Sequence, residues 1–318
     1  MTTDAGGTPS IVGGVSVLPH ADPSVVDAVR RAGGEVVPIG DATRGIVWVA
    51  ASGSGELEDV LTRHPSISWV QLPWAGVDAF ADTLAQHRDD GRVWTSAKGS
   101  YARPVAEHAL MLALAVLREV PRRARVVEWQ ADERGRSLFG LRVVLVGGGG
   151  ITEELLGLLA PFGVHATVVR RRAEPLAGAA RTVTDAALHE VLGDADLVFL
   201  AAALTDRTRG MIGAAELALL PDGAVLVNVA RGGLVVTDAL VAELASGRLG
   251  GAGLDVTDPE PLPPRHPLWE LENALVTPHV ADTEAMTVPM FADRVEANTA
   301  AFLGRSTWIG RIDLHAGY

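Results

Sequence analysis

Residues Leu141 to Gly163 read LRVVLVGGGGITEELLGLLAPFG: an unbroken apolar run, four glycines, then a helical pattern. Val143 to Val146 show no polar alternation, which suits a strand buried on both faces of a parallel sheet. Gly147 to Gly150 carry no Cβ and tolerate positive φ, so a ligand can approach the backbone closely. The helix that follows aims its unpaired N–H groups and positive dipole end at the same space, which suits a phosphate. Strand, glycine turn and helix together predict a pyrophosphate site close to the pattern G-x-G-x-x-G. With Gly147 first and Gly149 second, the third position falls on Thr152. That third glycine normally serves close packing of helix on strand, so the departure is expected to widen the packing more than to abolish binding.

The rest of the chain is consistent with two domains. It has 318 residues, 48% apolar and 21% charged, enough to bury two cores. A net charge of −12 argues against nucleic-acid and anionic-membrane partners. No cysteine is present, which excludes disulfides, thiolate metal sites and a cysteine nucleophile, and no metal is expected. The opening MTTDAGGTPS, read as a loose tail, lacks a basic or apolar leader, and the longest uncharged apolar run, Ala109 to Leu117, is too short to span a bilayer. A cytoplasmic location is the expectation.

Strand and helix alternate on both sides of the glycine turn, the pattern of parallel sheets with crossover helices. Before it, strands are expected at 11–18, 35–39, 46–50, 67–72 and 93–96, with helices at 24–32 and 55–63. After it come strands near 165–169, 197–201, 224–229, 250–256 and 274–277, and helices at 186–192, 214–220 and 237–246. With the strand before the turn these make six, a doubly wound dinucleotide fold. An apolar helix over 104–120 bridges the two lobes. A final helix over 283–302 has no sheet partner left in the second lobe, so the chain is expected to return to the first. The expected fold is α/β, two doubly wound parallel-sheet lobes. A Rossmann dinucleotide-binding domain, 104–281, is inserted in a flavodoxin-like substrate domain, 1–103 plus 282–318, with a cleft near both crossings.

Three segments stand at or beyond the carboxyl ends of second-lobe strands, where open α/β sheets bind ligands: NVARGG at 228–233, DVTDPEP at 255–261 and TPHV at 277–280. Arg231 offers a planar fork for a carboxylate and a neighbouring carbonyl oxygen. Glu260 offers a carboxylate, and His279 a proton donor or acceptor near neutral pH. This set suits hydride exchange between a nicotinamide and a 2-hydroxy or 2-oxo acid. Each group also has a plainer use, as a helix-capping cation, a solvated loop acid or a satisfied loop histidine.

Between Leu226 and Val280 the chain reads VNVARGGLVVTDALVAEL, GRLGGAGLDVTDPEPLP and LWELENALVTPHV. With PVAEHAL at 104–110, WAGVD at 74–78 and LTDRTRGMI at 204–212, it resembles the D-isomer-specific 2-hydroxyacid dehydrogenase family over nearly its whole length. The resemblance implies that Arg231, Glu260 and His279 are catalytic, and that the backbone amides of Gly76 and Val77 receive the substrate carboxylate together with Arg231. It also implies cofactor contacts at Gly147, Gly149, Gly150, Ile151, Thr152, Val229, Ala230 and Asp255, the last at the nicotinamide carboxamide. His108 in PVAEHAL is read as structural. The family is commonly dimeric, the ground for expecting a homodimer.

Family members that use NAD carry an acid at the end of the second cofactor-lobe strand, where this chain has Arg170, Arg171 and Arg172. Cations cannot accept hydrogen bonds from a ribose 2′-hydroxyl but can pair with a 2′-phosphate. NADP(H) is the preferred cofactor on this reading, with NAD(H) also usable. The expected activity is a glyoxylate/hydroxypyruvate-type reduction of a small 2-oxo acid to the D-isomer. A nucleotide-sensing corepressor or a phosphite-type dehydrogenase of the same fold is the alternative.

Overall fold

A computed structural model of the chain describes residues 13–129 and 131–315. The chain divides into two compact units, 1–100 with 284–318, and 101–283. The start of the strand expected from Ile11, the N-terminal tail and the last three residues lie outside the described residues.

In the first unit, β1 (Gly14–Leu18) leads to α1 (Pro23–Arg31), β2 (Thr43–Trp48), α2 (Ser54–Arg63), β3 (Trp69–Gln71), α3 (Ala81–Gln86) and β4 (Val93–Thr95). The start of α1 is written locally. Oδ1 of Asp22 accepts from the amides of Ser24 and Val25, and Pro23 occupies the first turn. The four strands pair in parallel in the order β1-β2-β3-β4. The strand expected over 35–39 is reduced to one parallel bridge, Val15 to Val36. Val36 and Val37 are only half-buried, so a short segment on the sheet edge has little apolar burial to hold it in a ladder. Counting that bridge as the second strand, the order becomes 2-1-3-4-5, the flavodoxin-like arrangement.

The second unit opens with α4 (Ala102–Leu117) and the short α5 (Val120–Arg123). The single helix expected over 104–120 is thus broken, and Glu119 at the break has φ +51. There follow β5 (Arg142–Val146), α6 (Gly150–Leu159), β6 (His165–Val169), β7 (Arg181–Val183), α7 (Leu188–Leu192), β8 (Leu197–Leu200), α8 (Ala214–Leu219), β9 (Val225–Asn228), α9 (Thr237–Ala245), β10 (Gly251–Leu254) and β11 (Ala274–Val276). All pairings are parallel, in the order β7-β6-β5-β8-β9-β10-β11. In chain order this is 3-2-1-4-5-6-7, the Rossmann arrangement with one strand added. The sequence predicts six strands. The seventh, β7, is three residues long and only its last is buried, so no apolar run marks it. The central strands β8 and β9 are buried throughout.

Glycines seat α4 on this sheet. A Cβ at Gly251 would lie 2.5 Å from Cγ1 of Val116, and one at Gly253 would lie 2.8 Å from Cβ of Leu112. Bare backbone on β10 lets the helix approach closely.

The last helix, α10 (Glu284–Phe302), belongs to the first unit. Arg294 is almost fully buried and donates to the carbonyls of Ser96 (2.8 Å) and Lys98 (2.9 Å). Asn298 donates to Oε1 of Gln71 at 2.7 Å and accepts from the amide of Ile309 at 2.9 Å. These buried polar groups satisfy strand ends and tie the returning helix to the first sheet. Trp69, stacked on Phe302 at 5.3 Å between ring centroids, adds apolar contact.

Candidate functional site

The glycine turn sits between two strand ends. The Gly147 amide donates to Val169 (2.8 Å) at the end of β6, and the Ala201 amide donates to Val146 (2.8 Å) just beyond β8. Gly147 has φ +116, and a Cβ there would overlap the carbonyl oxygen of Ala201 and stand 2.6 Å from its carbon. Only glycine fits. Gly149 precedes α6 in extended conformation, and a Cβ on it would meet nothing within 4 Å, which marks open space at the helix start. Gly150 and Ile151 form the first turn of α6. Thr152 is fully buried, and its hydroxyl donates to the Gly147 carbonyl at 2.9 Å. The residue in place of a third glycine therefore ties the helix to the turn. A cradle of bare backbone facing a helix N-terminus fits a dinucleotide pyrophosphate.

The arginine cluster begins directly after β6. Arg170 donates its amide to Val183 (3.0 Å), and its side chain lies against Gly148, with Cδ 2.8 Å from where a Cβ would be. Arg171 and Arg172 are exposed.

Beyond β9, the Asn228 side chain shapes the next loop. Its Oδ1 accepts from the Ala230 amide (3.0 Å) and its Nδ2 donates to the Arg231 carbonyl (2.9 Å). Val229 and Ala230 are buried, and Arg231 is half-buried with Nη1 2.7 Å from the Ala230 carbonyl. Gly232 passes so close to the Thr257 carbonyl that a Cβ would overlap it. The Arg231 loop and the acidic loop after β10 are thereby packed together. The acidic loop is braced by Thr237, whose hydroxyl donates to the Asp258 carbonyl at 2.6 Å, and by Thr257, whose hydroxyl donates to the Pro259 carbonyl at 2.9 Å.

Glu260 in that loop meets His279 after β11: Nδ1 lies 2.6 Å from Oε1, with both side chains more than 40% exposed. A carboxylate only accepts, so Nδ1 carries the hydrogen and Nε2 is left for a ligand. His279 has φ +54, in the left-handed region. Its amide donates to the carbonyls of Asp255 (2.8 Å) and Thr277 (3.0 Å).

Asp255 lies beneath this loop with its side chain 1% exposed. It accepts from the Thr277 hydroxyl (2.6 Å), the amides of Val280 and Ala281 (3.0 Å each) and Nε2 of His108 (3.3 Å). Burial pushes its carboxyl up, but these donors outweigh burial and hold it below the ordinary value of 3.8. Asp282, three residues past His279, is shifted the other way. Burial raises its carboxyl above 3.8, helped by Asp255 and opposed by His279 and Arg231. Gly76 and Val77 lie in the first unit, on the loop between β3 and α3, with Val77 buried.

Sequence reasoning passed over Asn228, Thr277 and Asp282, and read His108 only as structural. The available signal was position: Asn228 is three residues before Arg231, and Thr277 and Asp282 flank His279. Nothing in the sequence connects His108 to Asp255. Among the described residues no three His, Asp or Glu side chains group to hold a metal, and no helix is long and apolar enough to cross a membrane.

A seven-stranded parallel sheet in Rossmann order, with a glycine cradle between its central strand ends, defines a dinucleotide-binding enzyme domain. Residues 109–281 match the family model of the D-isomer specific 2-hydroxyacid dehydrogenase NAD binding domain. A glyoxylate reductase from Aeropyrum pernix is 32% identical over 77% of this chain and 76% of its own length. Among solved structures, a D-isomer specific 2-hydroxyacid dehydrogenase from Xanthobacter autotrophicus, in complex with NADPH and MES, is 28% identical. It covers 96% of this chain and 100% of its own, with TM-score 0.80. An NADPH-dependent glyoxylate/hydroxypyruvate reductase from Sinorhizobium meliloti, with NADP and sulfate, is 27% identical over 96% and 100%, with TM-score 0.79. The chain belongs to the D-isomer specific 2-hydroxyacid dehydrogenase family and is an NAD(P)-dependent oxidoreductase of 2-hydroxy and 2-oxo acids.

Proposed function

We propose that this enzyme reduces small 2-oxo acids of the glyoxylate and hydroxypyruvate type and uses NADP(H) in preference to NAD(H). The observation that carries the chemistry is the 2.6 Å contact of His279 Nδ1 with Glu260. Glu260 orients the ring through Nδ1, so Nε2 delivers a proton to the carbonyl oxygen in reduction and recovers it in oxidation. Arg231 grips the substrate carboxylate and polarises the neighbouring carbonyl. The nicotinamide, when bound, supplies the hydride. Gly147, Gly149, Gly150, Ile151 and Thr152 would hold its pyrophosphate, with Val229, Ala230 and Asp255 toward the nicotinamide end.

The cofactor preference is supported by Arg170, whose stem rests on the glycine turn, and by Arg171 and Arg172 beside it, a strand end with cations where a ribose diol would need an acceptor. Two relatives of the same fold were determined with NADPH or NADP. The reading includes a homodimer. Val127 and Trp129 are 101% and 95% exposed and Phe139 66%, large apolar side chains of the kind that protein contacts cover.

The test is consumption of NADPH and NADH by purified protein over glyoxylate, hydroxypyruvate, pyruvate and phenylpyruvate. Faster turnover with NADPH on the smaller acids is expected. Turnover with NADH alone would overturn the cofactor assignment, and silence across the panel with cofactor bound would overturn the substrate class.

A further inference from the structure

His108 stands on α4, the helix seated on bare β10 backbone. Its Nε2 lies 2.9 Å from the Thr277 hydroxyl and 3.3 Å from Oδ1 of Asp255. Thr277 has one hydroxyl hydrogen, and at 2.6 Å from Oδ1 of Asp255 that hydrogen goes to the carboxylate, which can only accept. The hydroxyl oxygen therefore accepts from His108, and Nε2 carries a hydrogen. The order of donation is fixed: His108 to Thr277, Thr277 to Asp255.

Asp255 spends its remaining capacity on the amides of Val280 and Ala281. His279 is thus bracketed, with Thr277 two residues before it and the two anchored amides directly after it. Its left-handed conformation, φ +54, is one that a residue with a side chain keeps only where its surroundings impose it. The imposing structure is this chain of donors, and His108 is its end on another element. The buried side chains of α4 are alanine, leucine, valine and proline, so none of them replaces the donor.

We infer that His108 is a positioning residue for the reaction: by donating Nε2–H to Thr277 and Asp255, it holds the loop that presents His279 to the substrate. This rests on His279 being the residue that exchanges the proton. Removing the donor leaves the Thr277 oxygen without its hydrogen bond and Asp255, whose side chain is 1% exposed, with one fewer. The loop then relaxes, and Nε2 of His279 moves off the line to the carbonyl oxygen.

The test uses the full chain and measures kcat, KM for the 2-oxo acid, cofactor affinity and Tm for His108→Leu and His108→Gln. Glutamine carries an N–H donor at about the reach of Nε2, and leucine carries none. A misplacement of this kind costs about 10- to 100-fold in turnover. His108→Leu should lower kcat by about that much with KM and cofactor affinity little changed, and His108→Gln should recover most of the loss. Equal losses in both variants, or wild-type kcat in His108→Leu, would overturn the inference. Should His108→Leu fail to fold, Thr277→Val cuts the same chain while keeping the side-chain shape. Its expected kcat loss is similar, and unchanged turnover would overturn the inference equally. His279→Ala separates the two levels. If it retains turnover, the underlying assignment fails; if it is inactive while His108→Leu is unimpaired, only the positioning role falls.

Discussion

Replacing Gly147 by alanine should damage the cofactor cradle from within. The new Cβ would overlap the Ala201 carbonyl oxygen and stand 2.6 Å from its carbon and 2.8 Å from the Ala202 nitrogen, where ordinary contact begins near 3.4 Å. These are backbone atoms at a strand end held by the Ala201 amide on Val146 (2.8 Å), so they cannot withdraw without opening the β5–β8 ladder. The turn must move instead, by most of an ångström. At φ +116 an alanine is also strained, at a cost of order 1–3 kcal/mol. Displacement puts at risk the bonds from Gly147 N to Val169 and from Thr152 to Gly147, each worth about 1 kcal/mol. A total of about 2–5 kcal/mol in a unit of this size corresponds to a fall in Tm of roughly 5–15 °C. Because the pyrophosphate needs the turn in place, NADPH affinity should weaken by about 10-fold or more. Differential scanning calorimetry and fluorescence titration with NADPH measure both. Gly149→Ala is the control: its Cβ would have nothing within 4 Å, so it should leave Tm unchanged. A Gly147→Ala protein with wild-type Tm and NADPH affinity would refute the reasoning.

Three further outcomes follow from the same geometry. Arg170→Ala should raise KM for NADPH by about 10-fold, the loss of one charge-assisted hydrogen bond, and leave NADH unaffected; equal loss with both cofactors would mean the side chain serves only packing on Gly148. Glu260→Gln keeps an acceptor for Nδ1 of His279 but removes the charge, and since both side chains are over 40% exposed and screened, kcat should fall toward the lower end of about 10- to 100-fold with cofactor affinity intact. Unchanged kcat would remove Glu260 from the proton-transfer machinery. For Asp282, a carboxyl raised above 3.8 by burial contributes stability that is complete below 3.8 and is lost as pH rises through the raised value, so at pH 7 its charge is a cost. Asp282→Asn should therefore raise Tm at neutral pH, and the gain should shrink as the medium is acidified; a gain independent of pH would point to packing instead.

Much of the second unit was legible because its strands are buried on both faces. Val143 to Val146, Val225 to Val227 and Leu197 to Leu200 are apolar without interruption, and such short runs between turn signals suit central strands of a parallel sheet. β6 ends at Val169 as read, which places Arg170 directly after it. Sequence and structure diverge where burial is partial. The 35–39 segment sits at a sheet edge and kept one bridge, and β7 is too short and too polar to register as a run. Arg231, Glu260 and His279 stand out in the sequence because each follows a recognisable strand, but only folding puts Nδ1 of His279 on Glu260 across nineteen residues of chain.

Local sequence alone determined the class of this protein. The glycine turn between an apolar strand and a helix, and three chemically distinct loops at strand ends, depend on backbone freedom and side-chain chemistry that any reader of residues can see. The tertiary structure decided what no local pattern encodes. Thr152 serves where glycine was expected because its hydroxyl finds the Gly147 carbonyl. His108 meets Asp255 because glycines on β10 admit α4 to the sheet. Asp255 and Asp282, alike in sequence, shift in opposite directions because one is surrounded by donors and the other mainly pays for burial. Hydrogen bonds and desolvation act over a few ångströms of space, and for residues far apart in the chain only the fold sets that distance.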